Sequence, residues 1–119
     1  MTTLSSLDPA HAQEVMRSII QRIATGPTLS KDVDQEEVRI GMRAILEGHV
    51  SQVQAAVFLI ALRMKRETDG ENCGILSGIQ DLTHTATAAV DEVVDIADPY
   101  NGYNRTLPAA PFLAPLLAE

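Results

Sequence analysis

Three times between residues 34 and 71 the chain sets a capping side chain three positions ahead of a Glu or Gln: Asp34 with Glu37, Ser51 with Gln54, Thr68 with Glu71. Such pairs answer each other's free N–H groups at a helix start, so each marks a first turn. A fourth start is written by Asp8-Pro9, where Asp caps and proline presets the first helical dihedral without needing a partner for an N–H. Four starts in 119 residues leave only short helices joined by short turns. The expected fold is all-α, a small bundle of about four helices.

The apolar residues say which way each helix faces. From Asp8 to about Thr25, Ala12, Val15, Met16, Ile19, Ile20 and Ile23 recur at three-and-four spacing and predict a core stripe. In the next helix, closed by Gly48, Val38, Met42, Ile45 and Leu46 form the apolar face. The helix over 52–66 is apolar on two sides: Ala55, Phe58, Leu59 and Leu62 share one face, and Val53, Val57, Ile60 and Met64 lie opposite. Either a central place in the bundle or a partner chain answers that pattern. The last helix, expected through about Thr87, has Ile75, Leu76, Ile79 and Leu82 as its stripe. Gly74 and Gly78 lie on one face of it, where they admit a close backbone or are simply tolerated small residues.

Aromatic residues make up only 3% of the chain and Trp is absent, so the expected core is aliphatic and methionine-rich. A net charge of -7 argues against a nucleic-acid footprint, which needs a surplus of Lys and Arg. Cys73 is the single cysteine, so neither an intrachain disulfide nor a thiolate cluster is available; its expected role is that of a small buried hydrophobe. The first residues carry no basic start or apolar run, and the longest apolar stretch, "AAVFLIAL", is too short to cross a bilayer. A cytoplasmic protein without a membrane partner is the expectation. His11, His49 and His84 lie in separate segments without acids at ligand spacing, and read as solvated or capping groups. The acid pairs Glu36-Glu37 and Asp91-Glu92 fit helix-start and loop solvation.

Two stretches carry more chemistry. "RMKRET" puts Arg63, Lys65 and Arg66 at a helix end, where cations complement the dipole or face an anionic substrate. "VVDIADPYNGYNRT" reads as a buried strand over Val93–Ala97 running into a polar loop, with a helix beginning near Pro108 weakened by Pro111 and Pro115. A strand, loop and helix start can cradle phosphate; Asp-Pro and Asn-Gly also make a plain turn.

Residues 44–81, "AILEGHVSQVQAAVFLIALRMKRETDGENCGILSGIQD", resemble the N-terminal helical domain of the anthranilate phosphoribosyltransferase family, also grouped as glycosyltransferase family 3. The likeness lies in three motifs in order: Gly48 to Gln54, Ala56 to Leu62, and Arg63 to Thr68. It implies that 1–90 is a helical homodimerisation domain and 91–119 the truncated start of an α/β phosphoribosyl-binding domain, inactive as a piece. It implies a parent enzyme that transfers a phosphoribosyl group from phosphoribosyl diphosphate with Mg²⁺. Asp98, Asn101, Gly102, Asn104 and Arg105 would form the phosphosugar loop, with Lys65 and Arg63 on the acceptor side. Pyrimidine nucleoside phosphorylases share the helical pattern, and a non-catalytic binding or regulatory module is the alternative from another class. Two departures stand out. Arg66 occupies the glycine of the family's Lys-Gly-Glu-Thr turn, and Asp98-Pro99-Tyr100-Asn101-Gly102 replaces its Gly-Thr-Gly-Gly-Asp loop.

Overall fold

The computed structural model describes residues 5–26, 28–95 and 109–117. Among them are helices α1 (Pro9–Ile23), α2 (Gln35–Leu46), α3 (Gln52–Lys65), α4 (Asp69–Asp81) and α5 (Ala110–Leu117), and no strand. The chain divides into two compact units, Met1–Thr85 with α1 to α4 and Ala86–Glu119 with α5. The first unit is the small all-α bundle the capping pattern predicts.

Each of α1 to α4 begins where a side chain accepts a free N–H. Asp8 takes the His11 N–H at 3.0 Å, and Ser51 and Thr68 take those of Gln54 and Glu71 at 3.2 Å each. Gln54 and Glu71 reach back to the cap N–H groups, completing two reciprocal boxes. At α2 the pattern differs: Asp34 caps through the Glu36 N–H, and Glu37 turns its carboxylate to Arg22 on α1. Gly48 closes α2 with φ 75°, and the paired bonds Gly48 N–H to Ile45 O and His49 N–H to Ala44 O satisfy its last carbonyls.

Within the first unit α3 packs on α1, α1 on α2, and α2 on α4. Ala12, Met16, Ile19 and Ile23 of α1 are all buried, with Val15 and Ile20 packed beside them. They meet Val38 and Ala44 of α2, Phe58, Ala61 and Leu62 of α3, and Val33 from the preceding loop. Phe58 is the largest fully buried side chain and lies over Gly41, where an added Cβ would come within 3.0 Å of its ring. The core is therefore aliphatic around one aromatic ring. It is not methionine-rich: Met16 is buried, Met42 half-buried and Met64 exposed.

Several expected faces turn out otherwise. On α4 the buried positions are Glu71, Gly74 and Gly78, while Leu76, Ile79 and Leu82 remain exposed. The glycines win because α2 comes so close that a Cβ on Gly74 would sit 2.5 Å from the Gln35 carbonyl oxygen, and one on Gly78 2.9 Å from that of Arg39. Leu46, at the end of α2, is likewise exposed, and so is Cys73, on the side of α4 turned from α2. The helix α4 stops at Asp81, six residues before Thr87, where a Thr-rich stretch follows. Beyond it Val93, Val94 and Asp95 have no strand structure, and both valines are exposed. A strand needs a neighbour for its backbone hydrogen bonds, and the described residues supply none. The helix expected near Pro108 is α5, which accommodates Pro115 and buries none of its side chains.

Candidate functional site

The joint between α3 and α4, residues 63–71, gathers the charged groups singled out in the sequence. Lys65 in the last turn of α3 places Nζ 2.8 Å from Asp32 Oδ1 and 2.8 Å from Glu71 Oε2, with only 4% of its side chain exposed. Glu71 is fully buried, yet all its demands are met: Oε1 accepts the Val33 N–H at 2.8 Å and Oε2 the Thr68 N–H at 2.9 Å besides the lysine. A buried carboxylate is tolerable only with such donors. Burial works to lower the Lys65 pKa, but the bonds to Asp32 and Glu71 outweigh it and raise the value above that of a free lysine. Lys65, expected on the acceptor side, thus clamps the loop before α2, the end of α3 and the start of α4.

Arg63 points outward with 79% of its side chain exposed, touching Glu67 at 3.5 Å. Between the clamped Lys65 and the cap Thr68 the chain reverses through Arg66, whose φ of 69° and ψ of 114° make it the one non-glycine with positive φ among the described residues. Sequence reasoning placed the three cations together but missed both the clamp and the strain. The signals were present: an acid at the third helical position six residues past a lysine, and an arginine in a glycine's place.

A second polar knot lies at the other end of α2. Arg43 is buried and donates to Glu47 Oε1 at 2.7 Å and to the Ser5 carbonyl at 2.9 Å; Glu47 Oε2 accepts from the Leu7 N–H and the Ser6 hydroxyl, each at 2.8 Å. Burial alone would raise the Glu47 carboxyl, but the Leu7 and Ser6 donors and the Arg43 guanidinium hold it down to about 2. His49 Nε2 lies 3.3 Å from the same carboxylate, so an acid does stand beside this histidine. Nearby, the side-chain amide of Gln13 donates to the His49 carbonyl and accepts from Gln54, tying α1 to α3.

An apolar hollow of about 330 Å³ opens between the end of α1 and α3, lined by Ile23, Val57, Ile60, Ala61, Met64 and Lys65, with Ser30 at its edge. Its α3 wall is the second apolar face seen in the sequence. Val53, Ile60 and Met64 are 73%, 58% and 74% exposed, so no helix of this unit covers that face. Of the candidate phosphosugar loop, Asp98, Asn101, Gly102, Asn104 and Arg105 lie outside the described residues. Among those described, no group of His, Cys, Asp and Glu could hold a metal ion, and no helix is long and apolar enough to cross a membrane.

Residues 17–83, from the middle of α1 to the end of α4, match the family described as glycosyl transferase family, helical bundle domain. The chain belongs to this family. As a helical bundle domain it is 32% identical over 81 residues to the anthranilate phosphoribosyltransferase of Marinobacter nauticus, covering 68% of this chain and 22% of that protein. To that of Methanopyrus kandleri it is 35% identical over 80 residues, 67% of this chain and 22% of the relative. It is also 32% identical over 102 residues to the uncharacterized protein YbiB of Escherichia coli, 85% of this chain and 32% of that one. The helical bundle domain and its flanks thus span between 22% and 32% of these relatives' lengths. No solved structure matches the chain significantly.

Proposed function

We propose that this helical bundle domain serves a phosphoribosyltransferase-like enzyme, one that moves a phosphoribosyl group from phosphoribosyl diphosphate to an acceptor. The carrying observation is the family match across α1 to α4 together with relatives named anthranilate phosphoribosyltransferase. In such a reaction the diphosphate leaves and a cationic sugar is trapped by a nucleophile, so the protein's task is to hold the phosphates and orient the acceptor. Asp98, Asn101, Gly102, Asn104 and Arg105 take the phosphosugar side in this reading. Arg63 faces the acceptor, and Lys65 acts by fixing the turn that carries it. Among the described residues no group of His, Cys, Asp and Glu could hold a metal ion; in this reading a Mg²⁺ ion bound with the diphosphate would be held near Asp98.

The bare α3 face supports homodimerisation. Residues 48–62 contain no Asp, Glu, Lys or Arg, so two copies of a chain of charge -7 can meet there without opposing like charges. A second reading is favoured by the loop after Asp98, which has one glycine and a proline: a non-catalytic binding module on the same scaffold. Calorimetry with phosphoribosyl diphosphate and Mg²⁺ on the protein carrying the following domain separates the two. Saturable binding is expected, and a folded dimer that takes up neither would leave only the binding-module reading.

A further inference from the structure

Arg66 holds a backbone conformation, φ 69° and ψ 114°, that glycine adopts freely and a residue with a Cβ does not. The geometry is imposed from both sides. Lys65 is fixed by Asp32 and Glu71, Thr68 is fixed as the cap of α4, and the chain must turn within the two residues between. A glycine would serve the backbone better, so what the arginine contributes is its guanidinium.

That guanidinium has no hydrogen bond or ion pair with any described residue. Arg63 lies one turn earlier at the same helix end, its carbonyl accepting the Arg66 N–H, and its own guanidinium meets only Glu67, at 3.5 Å. Arg22, Arg39 and Arg43, by contrast, are each held by a carboxylate at 2.7 Å or less. At this end of α3 the Arg66 fork is therefore open and the Arg63 fork is held only loosely, by Glu67.

We propose that Arg63 and Arg66 together bind a phosphate group carried by the ligand on the acceptor side, as a monoester or as a diphosphate. Planar forks suit phosphate oxygens because two parallel N–H donors match two oxygens, which a lysine cannot reproduce. The identity of the ligand rests on the transferase reading; phosphate binding itself does not.

Calorimetric titration of the chain with inorganic phosphate and inorganic pyrophosphate, at matched ionic strength, tests the pair. Saturable binding is expected, weakened at least tenfold in Arg66→Ala and in Arg66→Gly, and to a lesser degree in Arg66→Lys. Arg66→Gly should also melt about 5 °C higher, because glycine relaxes the turn. Tighter binding of pyrophosphate assigns the pair to a diphosphate, and equal binding to a monoester. Absence of saturable binding at millimolar concentration, or unchanged affinity in Arg66→Ala, overturns the proposal. If the protein with its following domain fails to bind phosphoribosyl diphosphate while Arg66-dependent pyrophosphate binding persists, the transferase reading falls and this one stands.

Discussion

Replacing Lys65 by methionine, a side chain of similar bulk, would remove the ammonium and its N–H donors and leave Glu71 fully buried without a cation. Stripping one partner from a buried pair costs about 3–5 kcal/mol, so Lys65→Met should fall by that amount in urea unfolding. Adding Glu71→Gln should recover part of the loss, since the amide oxygen still accepts from Val33 or Thr68 while the orphaned charge is gone. Asp32, largely exposed, is re-solvated by water and adds little. Glu47 makes the matching case for pH. Its carboxyl titrates at about 2 in the fold against an ordinary 4.5, so the unfolded chain takes up the proton first. The stability this contributes is complete above the unfolded value and is lost as pH falls from about 5 toward 2, on the order of 3 kcal/mol. In Glu47→Gln that acid-dependent part should vanish, which a series of melts between pH 6 and pH 2 would read.

At the scale of elements, the three glycines of α4 separate two effects of the same substitution. Alanine is favoured over glycine inside a helix by about 1 kcal/mol. At Gly70 nothing lies closer to an added Cβ than the Thr68 hydroxyl at 3.9 Å, so Gly70→Ala should stabilise by up to that amount. At Gly74 the same methyl meets the Gln35 carbonyl at 2.5 Å, and backbone cannot give way as a flexible side chain can. Overpacking of about 1–3 kcal/mol then exceeds the helix gain, and Gly74→Ala should be destabilised on balance in denaturant titration. This contact also explains what the sequence did and did not disclose. Caps are local chemistry, so all four helix starts were legible from Asp8, Asp34, Ser51 and Thr68. The stripe of α1 was legible because a helix covered by α2 and α3 must bury its apolar residues. The face of α4 was not, because Leu76, Ile79 and Leu82 announce burial by periodicity while the close approach is decided by Gly74 and Gly78. Burial follows the neighbour that is there, and periodicity does not name it. The candidate site was legible as a cluster of cations, but the division of labour among Lys65, Arg63 and Arg66 depends on Asp32 and Glu71, which lie 33 and 6 positions from Lys65 and meet only in the fold.

For the whole molecule, the bare side of α3 and the net charge make opposed demands, and their balance sets an experiment. Val53, Ile60 and Met64 expose apolar surface in line with the hollow beneath Val57 and Ala61, and covering such a patch is favourable by about 25 cal/mol for each Å² removed from water. Two copies each carrying -7 repel one another at a distance, and salt screens that repulsion without weakening apolar contact. A dimer formed through this face should therefore tighten as salt rises from 10 to about 300 mM, the reverse of an interface built on ion pairs. Ile60→Lys places a charge at the middle of the patch without touching Phe58 or Leu62, which face the core. In sedimentation equilibrium the native chain should be dimeric at high micromolar concentration, and Ile60→Lys should be monomeric with its helical circular dichroism intact. A native chain that stays monomeric at all salt concentrations would overturn the dimer, and an Ile60→Lys variant that still dimerises would place the interface elsewhere.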